Sequence, residues 1–125
     1  MGSMATVDVK IIYGVSININ TLIEGFESSG IEEDAQEVIE NDSFLTECIH
    51  RFYDDRINGQ DPAFVFGIKI CESNYGNLLC SVRLSDSDIE DLDSEFEEYA
   101  NELQQKFGVQ ISTGYPELIC GATLS

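Results

Sequence analysis

The sequence predicts one α+β domain built on a mainly antiparallel sheet. Segments with the two-residue period of strands alternate with segments that have the helical period of about 3.6 residues. A length of 125 residues suits one domain, and a hydrophobic content of 42% supplies one core. Residues 1–4 resemble an expression scar, so we expect the domain to comprise residues 5–125.

The first predicted strand runs from Thr6 to Ile17, because every second residue from Val7 onward is apolar. Three helical segments follow between residues 20 and 58. Breaks at residues 28–30 and 41–43 separate them. The third helix is expected to end at Asn58-Gly59 and to carry Leu45, Cys48, Ile49, Phe52 and Ile57.

A hairpin and a long helix are predicted next. Residues 64–71 and 78–84 alternate as strands on either side of a turn at residues 72–77. The helix from Ser85 to Phe107 has a continuous apolar stripe, a Ser87/Glu90 capping pair and Gly108 as its stop. Residues 109–113 and 118–124 read as terminal strands. The predicted buried residues are Phe66, Ile68, Val82, Leu92, Phe96 and Leu103.

This order of elements matches the split βαβ, or ferredoxin-like, plan β-α-β-β-α-β. The plan predicts acidic helices on one face of the sheet, an open opposite face, and a central position for the first strand. Three basic residues, Lys10, Lys69 and Arg83, fall on the less apolar side of their predicted strands. We therefore expect them to share the open face with Ile12, Val65 and Leu79, with Lys10 and Arg83 on neighbouring central strands. There they would bind an anionic ligand or support a homodimer.

Charge is the dominant feature of the composition. Asp and Glu number 24 against 6 Lys and Arg, giving a formal net charge of -18. Such a chain repels nucleic acid and anionic lipid and attracts basic protein surfaces. The sequence has no long apolar run and no basic leader, so we predict a cytoplasmic protein that binds neither nucleic acid nor membranes.

The long helix concentrates this charge, and its only basic residue is Lys106. Solvated helices commonly gain stability from Lys or Arg placed four residues from an acid, whereas like charges at that spacing repel. Stability therefore does not explain the pattern; a need for negative potential or an acid-biased host proteome does. The predicted partner-binding residues are Asp86, Asp88, Glu90, Asp91, Asp93, Glu95, Glu97, Glu98 and Glu102.

The sequence contains no complete motif for a metal site, a cofactor site or a catalytic site. An EF-hand-like frame begins at Asp86, but Asp91 occupies the position that requires glycine. Zinc binding would need scattered cysteines to converge with the lone His50. We predict no metal, no cofactor and no catalytic residue, and free thiols at Cys48, Cys71, Cys80 and Cys120.

The charge profile resembles that of nucleic-acid mimics, immunity proteins and small acidic anti-defence inhibitors. The resemblance is one of composition and implies a non-enzymatic protein that docks on a basic partner, for example a nucleic-acid-binding effector. The alternative is a small-ligand sensor or binding domain that uses Lys10, Lys69 and Arg83 on the open sheet face to bind an anion.

Overall fold

The protein is an α+β structure with a four-stranded antiparallel sheet and helices packed on it. A computed structural model describes residues 7–54, 57, 59, 61–73, 81–111 and 115–124. Within these residues the elements are β1 (Val7–Ile17), α1 (Ile19–Ser28), α2 (Ala35–Asn41), α3 (Ser43–Cys48), β2 (Ile49–Phe52), β3 (Ala63–Ser73), α4 (Asp86–Phe107) and β4 (Glu117–Leu124).

The strand order is β2-β3-β1-β4, and each pair of neighbours is antiparallel. The predictions of a mainly antiparallel sheet and of a central first strand are therefore confirmed. A bulge interrupts β3, since Ile12 pairs with Lys69 whereas the adjacent Ile11 pairs with Cys71. Ile70 is the extra residue, so the side chains beyond it switch to the other face relative to an uninterrupted strand.

The main core lies between the sheet and the helices. Phe66 of β3 is completely buried and meets Phe96 of α4 edge to face, with ring centroids 5.4 Å apart. Phe26 of α1 and Phe107 of α4 make a similar contact at 5.7 Å. These contacts and the buried Leu103 confirm the predicted burial of Phe66, Phe96 and Leu103. Ile68 and Leu92 are only partly buried.

The opposite face of the sheet is not open, which corrects our expectation. The sheet curls until its two edges meet: the Leu124 amide donates to the Tyr53 carbonyl at 2.9 Å. Phe52 of β2 thereby covers a second small core, in which Ile12 and Val65 are buried and Ile119 is partly buried. The strand period placed Lys10, Ile12, Val65 and Lys69 on this face correctly but failed for Arg83, and it does not report how far a sheet curls.

The third predicted helix is too long. It ends at Cys48, and Ile49–Phe52 form β2, which pairs with β3 from Ile49↔Phe66 to Phe52↔Ala63. Ile49 packs in the helix-side core, while His50 and Phe52 are buried on the other face. β2 has only four residues, two of them the polar His50 and Arg51, so its side-chain pattern is too short to distinguish strand from helix.

The predicted strand at residues 78–84 is also wrong for its described part, residues 81–84. Residues 81–84 form no strand, Val82 is 39% exposed, and residues 78–80 lie outside the described residues. The hairpin partner of β3 is β2 instead. Of the predicted terminal strands, 118–124 is confirmed as β4. Residues 109–111 form no strand, and 112–113 are not described.

The long helix is confirmed as α4, with Gly108 as its left-handed stop at φ 68°. Its capping box, however, consists of Ser85 and Asp88 rather than Ser87 and Glu90. The Asp88 amide donates to Ser85 Oγ at 3.2 Å, and the Ser85 amide donates to Asp88 Oδ2 at 2.9 Å. The capping box thus lies two residues before the pair that the sequence suggested.

Candidate functional site

The acidic surface of α4 is the largest feature that the sequence predicted as functional. Its apolar stripe packs into the helix-side core through Phe96, Leu103 and Phe107, so the remaining circumference faces solvent. Of the nine predicted partner-binding carboxylates, all are exposed except the half-buried Glu102. The helix therefore presents most of its charge outward.

Three of these carboxylates have a structural partner. Glu102 pairs with Lys106 at 2.8 Å, Asp88 belongs to the capping box, and Asp93 accepts a hydrogen bond from the Tyr13 hydroxyl of β1. That bond and burial raise the pKa of Tyr13 to about 12. The other six carboxylates, Asp86, Glu90, Asp91, Glu95, Glu97 and Glu98, form no ion pair with any basic residue in the described ranges.

A second acidic surface surrounds α2. Glu32, Glu33 and Glu37 are exposed, and none is ion-paired within the part of the chain that the structure describes. Nearby, Glu40 of α2 lies 3.8 Å from Arg51 of β2. The second surface is therefore also negative, and it offers a natural comparison with α4.

Two of the three predicted sheet-face residues come together. Lys10 and Lys69 lie on the sheet face opposite the helices, the same face as Ile12. They line a cleft of about 900 Å³ at the edge of β3, beyond the end of β2. His50 lines the same cleft. Carboxylates on the helix side, Glu40, Glu47 and Glu95, form its opposite wall. The cleft is thus polarised across its width.

Arg83 does not join them on a sheet face. It lies in the strandless segment before α4 and is exposed; with Lys69, it lines a separate shallow pocket beside the bulge in β3. The predicted placement of Lys10 and Arg83 on neighbouring strands is wrong, because β2 and not residues 78–84 pairs with β3.

His50 is the residue that sequence reasoning missed. The sequence predicts a helix through this position, whereas His50 is only 6% exposed on β2 and its Nε2 lies 3.1 Å from the Gly67 carbonyl oxygen. Burial lowers the pKa of His50, and the charges of Lys10 and Lys69 lower it further, opposed by the Gly67 bond and Glu72. Its alternation with Phe52 was the only sequence signal for this position.

The cysteines also depart in part from expectation. Cys48 and Cys120 carry free thiols, but Cys71 is disulfide-bonded, so the prediction of free thiols is wrong there. The bulge at Ile70 interrupts the alternation of β3 just before Cys71, so strand alternation does not give the direction of this side chain. Cys80 lies outside the described residues. Burial raises the pKa of Cys48 to about 12.

The EF-hand-like frame, for which we predicted no metal, lies within a continuous helix, since α4 runs from Asp86 past Glu97 without a loop. Within the described ranges, no three His, Cys, Asp or Glu side chains converge as metal ligands do. No helix among those same residues combines the length and the apolar character needed to cross a membrane.

Comparison with known proteins gives no relative. No protein-family model, no curated protein and no solved structure matches this chain.

Proposed function

We propose that this protein is a non-enzymatic acidic interaction protein that docks its α4 surface on a basic surface of a partner protein. The observation that carries the proposal is the row of exposed, unpaired carboxylates on one 22-residue helix. Like charges at helical spacings of three or four residues cost stability, so the stability of the fold does not by itself explain this arrangement. A partner rich in Lys and Arg would neutralise it.

The balance of charge across the molecule supports the proposal. Only three acidic residues, Glu40, Glu72 and Glu102, form ion pairs with basic residues in the described ranges. A net charge of -18 leaves a field that steers basic surfaces toward the protein and accelerates association. A nucleic-acid-binding effector is the expected partner class, because its basic channel evolved to attract phosphate charge.

The test is charge reversal on α4. Immobilised wild-type protein and the Glu90→Lys/Glu97→Lys/Glu98→Lys variant are exposed to the same cell extract, and the retained proteins are identified by mass spectrometry. We expect the wild type to retain a nucleic-acid-binding protein that the variant loses. With that partner purified, association should slow steeply as salt rises from about 50 mM to about 300 mM.

The matched control is Glu32→Lys/Glu33→Lys/Glu37→Lys, which makes the same change in net charge at the second acidic surface. This control and the pair Lys10→Ala/Arg83→Ala should keep the partner. If both triple variants lose the partner equally, net charge alone governs binding. If the α4 variant still retains the partner, the proposal is rejected.

The cleft supports a second candidate function, the binding of a small anion. Lys10 has no described carboxylate within ion-pair distance, and it shares the cleft with Lys69 and His50. In a chain with six Lys and Arg residues, this convergence is notable. The opposing Glu40, Glu47 and Glu95 would disfavour an anion, so this candidate ranks second.

Inorganic phosphate is a suitable probe, since His50 is the one histidine and gives an unambiguous NMR signal. A bound anion would raise the pKa of His50, and Lys10→Ala/Lys69→Ala should remove that rise. An unchanged His50 titration at millimolar phosphate would count against the cleft as a phosphate-type anion site.

We also propose that the fold is a variant of the split βαβ plan. Strands β1 and β2 are each antiparallel to β3, which lies between them, so β1 and β2 are parallel to each other. This arrangement and the order β1, helices, β2, β3, α4, β4 support the assignment. The curled edges and the short β2 are departures from it. An experimental structure with a different strand order would reject it.

A further inference from the structure

An apolar area of the sheet lies on the helix side but no described helix covers it. We call it the β1–β4 strip and define it by Val7, Val9, Ile11, Leu118, Cys120 and Ala122. Register pairs Val9 with Ala122 and Ile11 with Cys120, so these side chains are neighbours on one face. Ile12 and Ile119 point the other way, into the small core under Phe52.

The strip is accessible in spite of its composition. Leu118 is 51% and Val7 is 41% exposed, Cys120 and Ala122 are exposed, and Val9 and Ile11 are half-buried. None of its members belongs to either buried core. Scattered apolar residues on a surface are ordinary, but a contiguous row along two paired strands is typical of an interaction site.

Helix α4 borders this strip with its charge. Tyr13 pairs with Leu118 in the sheet and donates its hydroxyl proton to Asp93, which places α4 beside the strip. Glu90 and Glu97 lie one turn before and after Asp93 and so share its side of the helix. Ile89, 38% exposed, adds an apolar group on that side.

We propose that the β1–β4 strip is the apolar centre of the partner interface and that α4 is its acidic rim. This inference rests on the proposed function and adds the chemistry of the partner: an apolar cluster bordered by Lys and Arg. Interfaces have this anatomy, with desolvated apolar contacts at the centre and charged groups around them. A second copy of this chain fits poorly, because a two-fold interface around the strip would bring two uncompensated acidic rims together.

The experiment compares two defined probes. One is an amphipathic helical peptide of Leu and Lys, and the other is an oligolysine of the same charge. Wild-type protein should bind the Leu/Lys peptide at least about tenfold more tightly than oligolysine. Leu118→Thr with Val7→Thr should remove that preference and leave oligolysine binding unchanged, since the charge is the same. Val82→Thr, a substitution at an exposed valine outside the strip, should change neither.

Each failure has its own signature. If the Leu118→Thr/Val7→Thr variant keeps the preference for the Leu/Lys peptide, the strip is not the interface centre. If the Glu90→Lys/Glu97→Lys/Glu98→Lys variant binds oligolysine with wild-type affinity, α4 is not the acidic docking surface and the proposed function itself is rejected. NMR shifts of the wild-type protein provide a reading that depends on no variant: the Leu/Lys peptide should perturb β4 and α4 amides together. A wild-type dimer in sedimentation that Leu118→Thr/Val7→Thr dissolves would assign the strip to a second copy and overturn the proposal.

Discussion

The ring of Phe52 lies directly against Gly121, although the two residues belong to opposite edges of the sheet. A Cβ on Gly121 would stand 2.7 Å from two atoms of that ring, so only glycine lets β2 and β4 approach this closely. Thr123 Oγ1, which donates to the Arg51 carbonyl at 3.3 Å, adds a bond across the same junction. The curl of the sheet depends on this contact.

Substitution of Gly121 should therefore destabilise the protein. Gly121→Ala forces the added methyl into the Phe52 ring, and overpacking of this kind costs about 1–3 kcal/mol. Urea unfolding measures the loss. Cys120→Ala, at the neighbouring exposed position on the other face, should change the free energy of unfolding by less than about 0.5 kcal/mol. Equal values for the two variants would mean that the edges do not close in solution.

Protonation of His50 should weaken the fold. Burial lowers its pKa below the ordinary value of 6.5, so between these two values the unfolded chain binds more protons than the folded protein. The free energy of unfolding then falls as the pH decreases through 6.5, and this contribution levels off below the folded pKa.

Urea unfolding from about pH 7.5 to about pH 5 tests this contribution. The carboxylates also make stability depend on pH, and comparison with His50→Gln cancels their contribution because both proteins contain them. We expect the wild type to lose more stability over this range than the variant does. Parallel pH profiles would show that His50 titrates alike in the folded and unfolded chain.

The start of α4 gives a prediction that distinguishes Ser85 from Ser87 as the N-cap of the helix. Ser85→Ala removes the side chain that accepts from the Asp88 amide, and loss of an N-cap costs about 1 kcal/mol. Ser87→Ala should cost a few tenths of a kcal/mol at most, because Ser87 bonds only to Ser85 Oγ in the described structure. Thermal unfolding of both variants checks the order, and a larger loss for Ser87→Ala would restore the cap that the sequence suggested.

The buried Cys48 should be unreactive in the native protein. It is fully buried and its pKa is raised to about 12, so almost no thiolate forms at neutral pH. In a Cys120→Ser background, a thiol reagent should label Cys48 only after denaturant is added, as mass spectrometry would record. Rapid native labelling of Cys48 would indicate that α3 opens readily.

The sequence determined those elements whose pattern is long and amphipathic. β1 alternates over 11 residues, β3 alternates up to the bulge at Ile70, and α4 keeps its stripe over 22 residues, so local side-chain spacing fixes their type and the face they bury. The acidity of α4 and the place of Gly108 at its end are likewise sequence properties. These predictions required no knowledge of which strand or helix packs against each element.

Tertiary structure decided what depends on a distant partner. Ile49–Phe52 is a strand only because β3 lies beside it, and a run of four residues is too short for its period to distinguish strand from helix. The bulge at Ile70 redirects Cys71, and the contact of Phe52 with Gly121 closes a face that alternation alone describes as open. The polarised cleft and the uncovered β1–β4 strip follow from those same pairings. Side-chain period sets the direction of a residue along its own strand, whereas exposure depends on which other strand or helix packs against it.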